Sequence, residues 1–172
     1  MVNSLVKARR DSFKSPKPDA PRVLVYDILS EVNRRGGYSN LLLPQALGAS
    51  NFEQRDKGFA TELLYGTLRM QGRHDFIVKK FIDREFDLLD PQIQDLLRMG
   101  IHQLTQMRIP NHAAVSETVE VARFAAGDSK ASYVNAILRK VAEDQEIAAD
   151  LAHLDMVDSL SVQYSHPKWI IN

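Results

Sequence analysis

The stretch LLDPQIQ over residues 88–94 commits the chain after it to helix. An aspartate at an N-cap accepts a hydrogen bond from a free backbone N–H of the first turn. A proline at the next position loses nothing, because that N–H would have no intrahelical partner anyway. Ile93, Leu96, Leu97, Ile101 and Leu104 then make one apolar stripe at helical spacing, ended before Pro110.

The same grammar recurs along the chain. Pro21 suits a first helical position, Val25, Ile28, Leu29 and Val32 follow at i, i+3, i+4, i+7, and Gly36-Gly37 closes the helix. Ser39 is expected to cap a short second helix through Leu47. A longer helix from about Glu53 to Arg69 presents Phe59, Leu63, Leu64 and Leu68. Another, about His74 to Ile82, carries Phe76, Ile77 and Phe81. NHAAVSETVEVARFAAG sets Val115, Val119 and Ala122 on one face with Gly127 as its stop, and Val134, Ile137, Leu138 and Val141 repeat the pattern. No stretch alternates with period two for long enough to make a convincing strand. The fold class is all-α, with about seven helices and short connections.

Residues 1–20 are rich in Ser, Lys and Pro and read as a flexible basic arm. Within residues 1–22, Lys7, Arg9, Arg10, Lys14, Lys17 and Arg22 face only Asp11 and Asp19. Residues 143–158 reverse the balance, with six acids and no Lys or Arg. The two ends cancel, since Lys plus Arg and Asp plus Glu are 22 each, so the charge map is more telling than its sum. After Val141 the apolar rhythm weakens, and residues 143–172 read as a linker ending in an element that begins at KWII. No apolar run reaches the roughly 18 residues of a membrane span, and MVNSLVKARR lacks an export signal, so a cytoplasmic protein is expected.

Chemistry is sparse. The chain has no cysteine, which excludes disulfides and thiolate catalysis within it. No two of the five histidines stand three or four apart, so each is expected to be a surface or half-buried side chain and not a metal ligand. GTLRMQGR lacks the lysine of a phosphate loop and falls in or beside a helix, whose N–H groups are already used. Glu117 and Glu120 are expected to share a helix, as are Asp83 and Glu85 with Asp87 nearby, as ordinary exposed acids. Basic side chains do better. Lys7, Arg9 and Arg10 on the arm, Arg22, Arg69 and Arg73 around a helix end, and Arg139 four residues after Asn135 are the candidate RNA contacts. Lys79 and Lys80 follow shortly after Arg73.

RVLVYDILSEV, FATELLYGTLR, LLRMGIHQL, IPNHAAVSETVEVAR and SYVNAILRKV, in this order, resemble the NusB-like helical domain over roughly residues 21–142. Pro110–Val119 and Val134–Arg139 are its most specific parts. The resemblance implies two packed three-helix bundles and an RNA-binding role. Two protein groups carry such a domain: the free antitermination factor NusB and the RsmB (Sun/Fmu) group, which methylates small-subunit ribosomal RNA at cytosine C5. GGYSNLLLPQAL, FATELLYGTLRMQGRHD and the extension ending in YSHPKWII look more like the second.

The RsmB resemblance implies an N-terminal piece of a longer enzyme, with S-adenosylmethionine and the nucleophilic cysteine in a methyltransferase domain beyond this chain. Its implied partners are 16S ribosomal RNA and that catalytic domain, with a homodimer possible and no membrane. An antitermination factor that binds RNA together with a ribosomal protein is the alternative, and a purely structural or dimerisation domain is a third.

Overall fold

The computed structural model describes residues 17–144 and 159–162. Helix α1 (Ala20–Arg35) begins where the Asp19 carboxylate accepts the Arg22 backbone N–H at 3.1 Å, and Pro21 fits its first turn. It ends at Gly36, whose φ of 71° is the left-handed conformation that glycine adopts without a Cβ penalty. Helix α2 (Ser39–Ala49) starts after extended Tyr38 and has no side-chain cap, so Ser39 is its first residue and not its cap. It runs two residues past Leu47, carries Pro44 inside, and buries only Leu43.

Helix α3 (Gln54–Arg69) buries Ala60, Leu63, Leu64, Gly66 and Thr67. A single bend at Met70 separates it from α4 (Gln71–Lys79), which therefore starts three residues before His74 and stops short of Ile82. There the Lys80 and Phe81 N–H groups bond Ile77 and Val78 three residues back, a tightening turn that ends the helix. A 3-10 turn at Phe86–Leu88 then buries Phe86. Asp83, Glu85 and Asp87 consequently lie on this connection and not on a shared helix, because the Phe86 and Leu89 anchors draw the chain into turns.

Helix α5 (Pro91–Gln106) opens as its sequence dictates, with Asp90 accepting the Gln92 N–H at 2.8 Å. It packs against α1, α3 and α4 as well as α6 (Asn111–Ala126) and α7 (Asp128–Glu143). That central position explains why burial spreads beyond the expected stripe to Met99, Gly100, Asp95, His102 and Gln103, while Ile93 and Leu104 are only half-buried. Gly127, with φ of 89°, breaks α6 from α7 and lets the two run back against each other.

The molecule is thus two three-helix units, α1–α2–α3 and α5–α6–α7, packed face to face with α4 crossing α5. Among the described residues there are seven α-helices, one 3-10 turn and a helical turn at 159–162, with no strand and no helix long and apolar enough to cross a membrane. Most of the 143–172 segment lies outside the described residues.

Candidate nucleic-acid interface

The basic residues singled out in the sequence fall in separate places. Lys7, Arg9 and Arg10 lie outside the described residues. Arg22 is turned inward. Its Nε donates to Gln103 Oε1 at 2.7 Å, a terminal nitrogen donates to Asp19 at 3.0 Å, and the guanidinium lies 4.5 Å from the Phe59 ring centroid. Gln103 in turn donates to Thr118 Oγ1 at 3.0 Å and to the Met99 carbonyl at 3.1 Å. This network runs from the cap of α1 through α5 to α6, and only 9 % of Arg22 is exposed. Its charge is satisfied inside the fold, which is what a buried guanidinium requires.

Arg22 nevertheless forms the wall of a cleft of about 350 Å³, in which the exposed Arg55 and Arg108 stand with Asp19, Asp56 and Phe59. Neither Arg55 nor Arg108 was singled out from the sequence. Arg108 precedes α6 by a short Ile-Pro link and Arg55 lies in the first turn of α3, and only packing brings these two ends beside the start of α1.

Arg69 and Arg73 flank a different feature. Arg69 is exposed at the end of α3, and Arg73 is half-buried in the first turn of α4, where desolvation lowers its pKa. Beneath them His74 and His102 meet, 3.4 Å apart between Nε2 and Nδ1, with ring centroids 5.3 Å apart and edge to face. Both are buried, at 0 % and 3 % exposure, which corrects the expectation of surface or half-buried histidines. Their spacing of 28 residues carries no local signal; the crossing of α4 over α5 creates the pair. Burial holds His74 well below the ordinary imidazole value, reinforced by His102, Arg73 and Arg98. Burial lowers His102 to about 4, with Arg69 adding to the effect. Among the described residues no group of three or more His, Cys, Asp or Glu side chains is placed to hold a metal ion.

Further along, Lys80 is tied to Asp144 at 2.9 Å, joining the end of α4 to the residue after α7. Arg139 stands in yet another cleft, of about 310 Å³, between the start of α6 and the end of α7, together with Asn135. Pro110–Val119 and Val134–Arg139, set apart by 15 residues in sequence, supply most of its lining. The arrangement offers two clefts edged by exposed arginines on one helical body.

Comparison with known proteins places this body. The model of the NusB family matches residues 19–143. A Mycobacterium tuberculosis protein that bears a methyltransferase name is 38 % identical over 158 residues, covering 88 % of this chain and 34 % of that protein. Ribosomal RNA small subunit methyltransferase B of Thermus thermophilus is 36 % identical over 140 residues, covering 81 % of this chain and 34 % of its own. The Vibrio vulnificus protein of the same name is 31 % identical over 150 residues, with 87 % and 34 % covered. The chain therefore spans about a third of the length of these curated relatives. Among solved structures, Thermotoga maritima NusB superimposes with a TM-score of 0.65 at 19 % identity, covering 77 % of this chain and 99 % of that one. NusB from a complex of NusB and NusE with double-stranded RNA gives 0.65 at 18 %, covering 72 % and 93 %. At that identity the superposition speaks for the fold alone, and the matched fold, residue span and helix order together show that the chain belongs to the NusB family.

Proposed function

We propose that this chain is the RNA-binding module of a ribosomal RNA small-subunit methyltransferase, and that it recruits or orients the RNA for a catalytic domain outside the chain. The observation that carries the reading is the extent of the likeness to the methyltransferase B relatives. It covers 81–90 % of this chain, more than the residues 19–143 matched as NusB, and about a third of each relative.

The chemistry divides in the same way. Cytosine C5 methylation by a covalent route needs a cysteine thiolate to attack C6, and this chain has no cysteine. A site for S-adenosylmethionine of the Rossmann-like kind needs a Gly-rich turn after a strand. The described residues hold no strand, and Gly66 and Gly72 lie inside α3 and α4. Among the described residues nothing fits a site of that kind, and on this reading the cofactor is held by the catalytic domain. What this chain offers is positive charge at the rims of its clefts, from Arg55 and Arg108 on one side and Arg139 on another, with Lys7, Arg9 and Arg10 ahead of α1. Such side chains neutralise phosphates and position an RNA without reading its sequence.

The test is a titration of residues 1–172 with labelled fragments of 16S ribosomal RNA across a range of salt concentrations. Binding that weakens linearly in log–log form with salt is expected. Absence of binding at low ionic strength overturns the proposal.

A further inference from the structure

The cleft between the start of α6 and the end of α7 carries side chains that the fold leaves unused. Asn135, Arg139, His112 and Glu143 line it, and among the described residues none of the four has a side-chain hydrogen bond or ion pair. Asn111 donates to the Ala142 carbonyl at 3.2 Å and so ties the start of α6 to the end of α7 at the cleft. Ser116 Oγ lies 3.4 Å from the Ala113 carbonyl, a weak bond that leaves its oxygen able to accept. Val115 and Ala142 give apolar lining.

Half-buried Asn135 bears both donors and an acceptor, Arg139 offers a permanent positive charge, and Glu143 offers only acceptors. At about 310 Å³ the volume lies at the lower end of small-ligand sites, which begin near roughly 300 Å³. A ligand matched to this set is small, partly flat and apolar, anionic at one end, and both donor and acceptor at the other. An unstacked nucleotide has that chemistry: a phosphate for the guanidinium, a base face for the apolar lining, and a base edge for the amide and carboxylate. A carboxylate accepts readily from an exocyclic amine such as cytosine N4, whereas unpaired uracil offers it only the N3–H, which is flanked by two carbonyl oxygens that repel a carboxylate.

We infer that this cleft binds one unpaired nucleotide of the RNA, with preference for an amine-bearing base such as cytosine over uracil. The inference rests on the RNA-binding reading above and adds a base-reading site to it. Phosphate contacts alone, such as those offered by Arg55 and Arg108, would give no such preference.

Residues 1–172 are titrated with fluorescein-labelled oligocytidylate and oligouridylate of equal length, beside Asn135→Ala, Arg139→Gln and Glu143→Gln. Arg35→Gln removes the same charge from an exposed site on α1 and serves as the control. All four changes are at exposed or half-buried positions, and circular dichroism checks that the helices persist. The wild type is expected to favour oligocytidylate. Asn135→Ala and Arg139→Gln should each weaken it by about tenfold, the equivalent of one lost hydrogen bond to a charged or buried partner. Arg139→Gln should also reduce the salt slope by about 0.7. Glu143→Gln should narrow the gap between the two oligonucleotides, and Arg35→Gln should leave it intact. Equal affinity of the three cleft variants and the wild type overturns the inference, and if 16S fragments still bind, the RNA-binding reading stands without it. Failure of the wild type to bind any RNA overturns both.

Discussion

His102 Nδ1 lies 3.4 Å from His74 Nε2 in the interior of the molecule, so that one neutral imidazole hydrogen-bonds another where α5 and α4 cross. Three arginines stand around the pair, Arg73 and Arg98 toward His74 and Arg69 toward His102, and none of the causes acting on either ring favours its protonated form. The folded state therefore keeps both rings neutral well below the pH at which an unfolded chain would protonate them.

The consequence for stability has a definite sign. Between pH 6.5, the ordinary imidazole value, and about 4, the unfolded chain binds a proton at His102 that the folded chain refuses. Stability is fully present above that window and falls as the pH drops through it. The loss from His102 alone should be about 2 kcal/mol between pH 7.5 and pH 5, with His74 adding to it. Urea denaturation at a series of pH values measures this, and His102→Gln should flatten the acid limb of the profile. A wild-type stability constant from pH 7.5 to 5 would refute it.

Gly66 and Gly58 should respond oppositely to alanine. A Cβ on Gly66 would overlap the His102 ring, and that ring is held by the pair beneath it. Gly66→Ala should cost about 3 kcal/mol, the upper part of the range for overpacking a core. Gly58, also inside α3, has nothing within 4 Å of its would-be Cβ, so Gly58→Ala should stabilise by about 0.5–1 kcal/mol through helix propensity. Thermal melts of the two variants decide the matter.

Arg22 should act through stability, since its guanidinium is paired inside the fold. Arg22→Met would leave the Gln103 side-chain carbonyl without its donor and the Asp19 carboxylate with only the backbone N–H of residue 22, and should destabilise by about 2–3 kcal/mol. Arg22→Lys should cost nearly as much, because an ammonium cannot reproduce the planar fork over Phe59. At a temperature where both variants remain folded, RNA affinity should stay within about twofold of wild type, since the guanidinium already has internal partners; a larger loss would assign Arg22 a direct contact.

The remaining arginines should show the converse. Arg55→Gln with Arg108→Gln should leave the melting temperature nearly unchanged and lower the salt slope of RNA binding by about 1.4, two phosphate contacts on a single strand. Replacing Lys7, Arg9 and Arg10 together by Ala should lower it by about 2. An unchanged slope in either case would remove those residues from the interface.

A bidentate pair makes a control of the opposite kind. Arg98 donates to both oxygens of Asp75 at 2.7 Å each and lies 5.0 Å from the Phe86 ring centroid, joining α4, α5 and the 3-10 turn. Asp75→Ala should destabilise by about 3 kcal/mol, because it removes both short bonds of a largely buried guanidinium and leaves it only Asp95 at 3.8 Å. Chemical denaturation should show the loss with the RNA salt slope unaltered.

Asp90-Pro91, Asp19 with Pro21, Gly36 and Gly127 determined by themselves where α1, α5, α6 and α7 begin or end, because caps and breakers act within one turn of chain. Apolar spacing likewise predicted the buried faces of α1 and α7, down to Val25, Ile28, Leu29 and Val134, Ile137, Leu138, Val141. The tertiary structure decided the rest. It ended α4 early, placed the acids at 83–87 on a connection, enclosed α5 on several sides, turned Arg22 inward and joined His74 to His102. It also brought Arg55 and Arg108 into one cleft and Asn135, Arg139 and the start of α6 into another. The physical reason is range: a cap or an apolar stripe is a property of neighbouring residues, whereas a buried charge network or a cleft depends on which helix ends meet once the two three-helix units have packed.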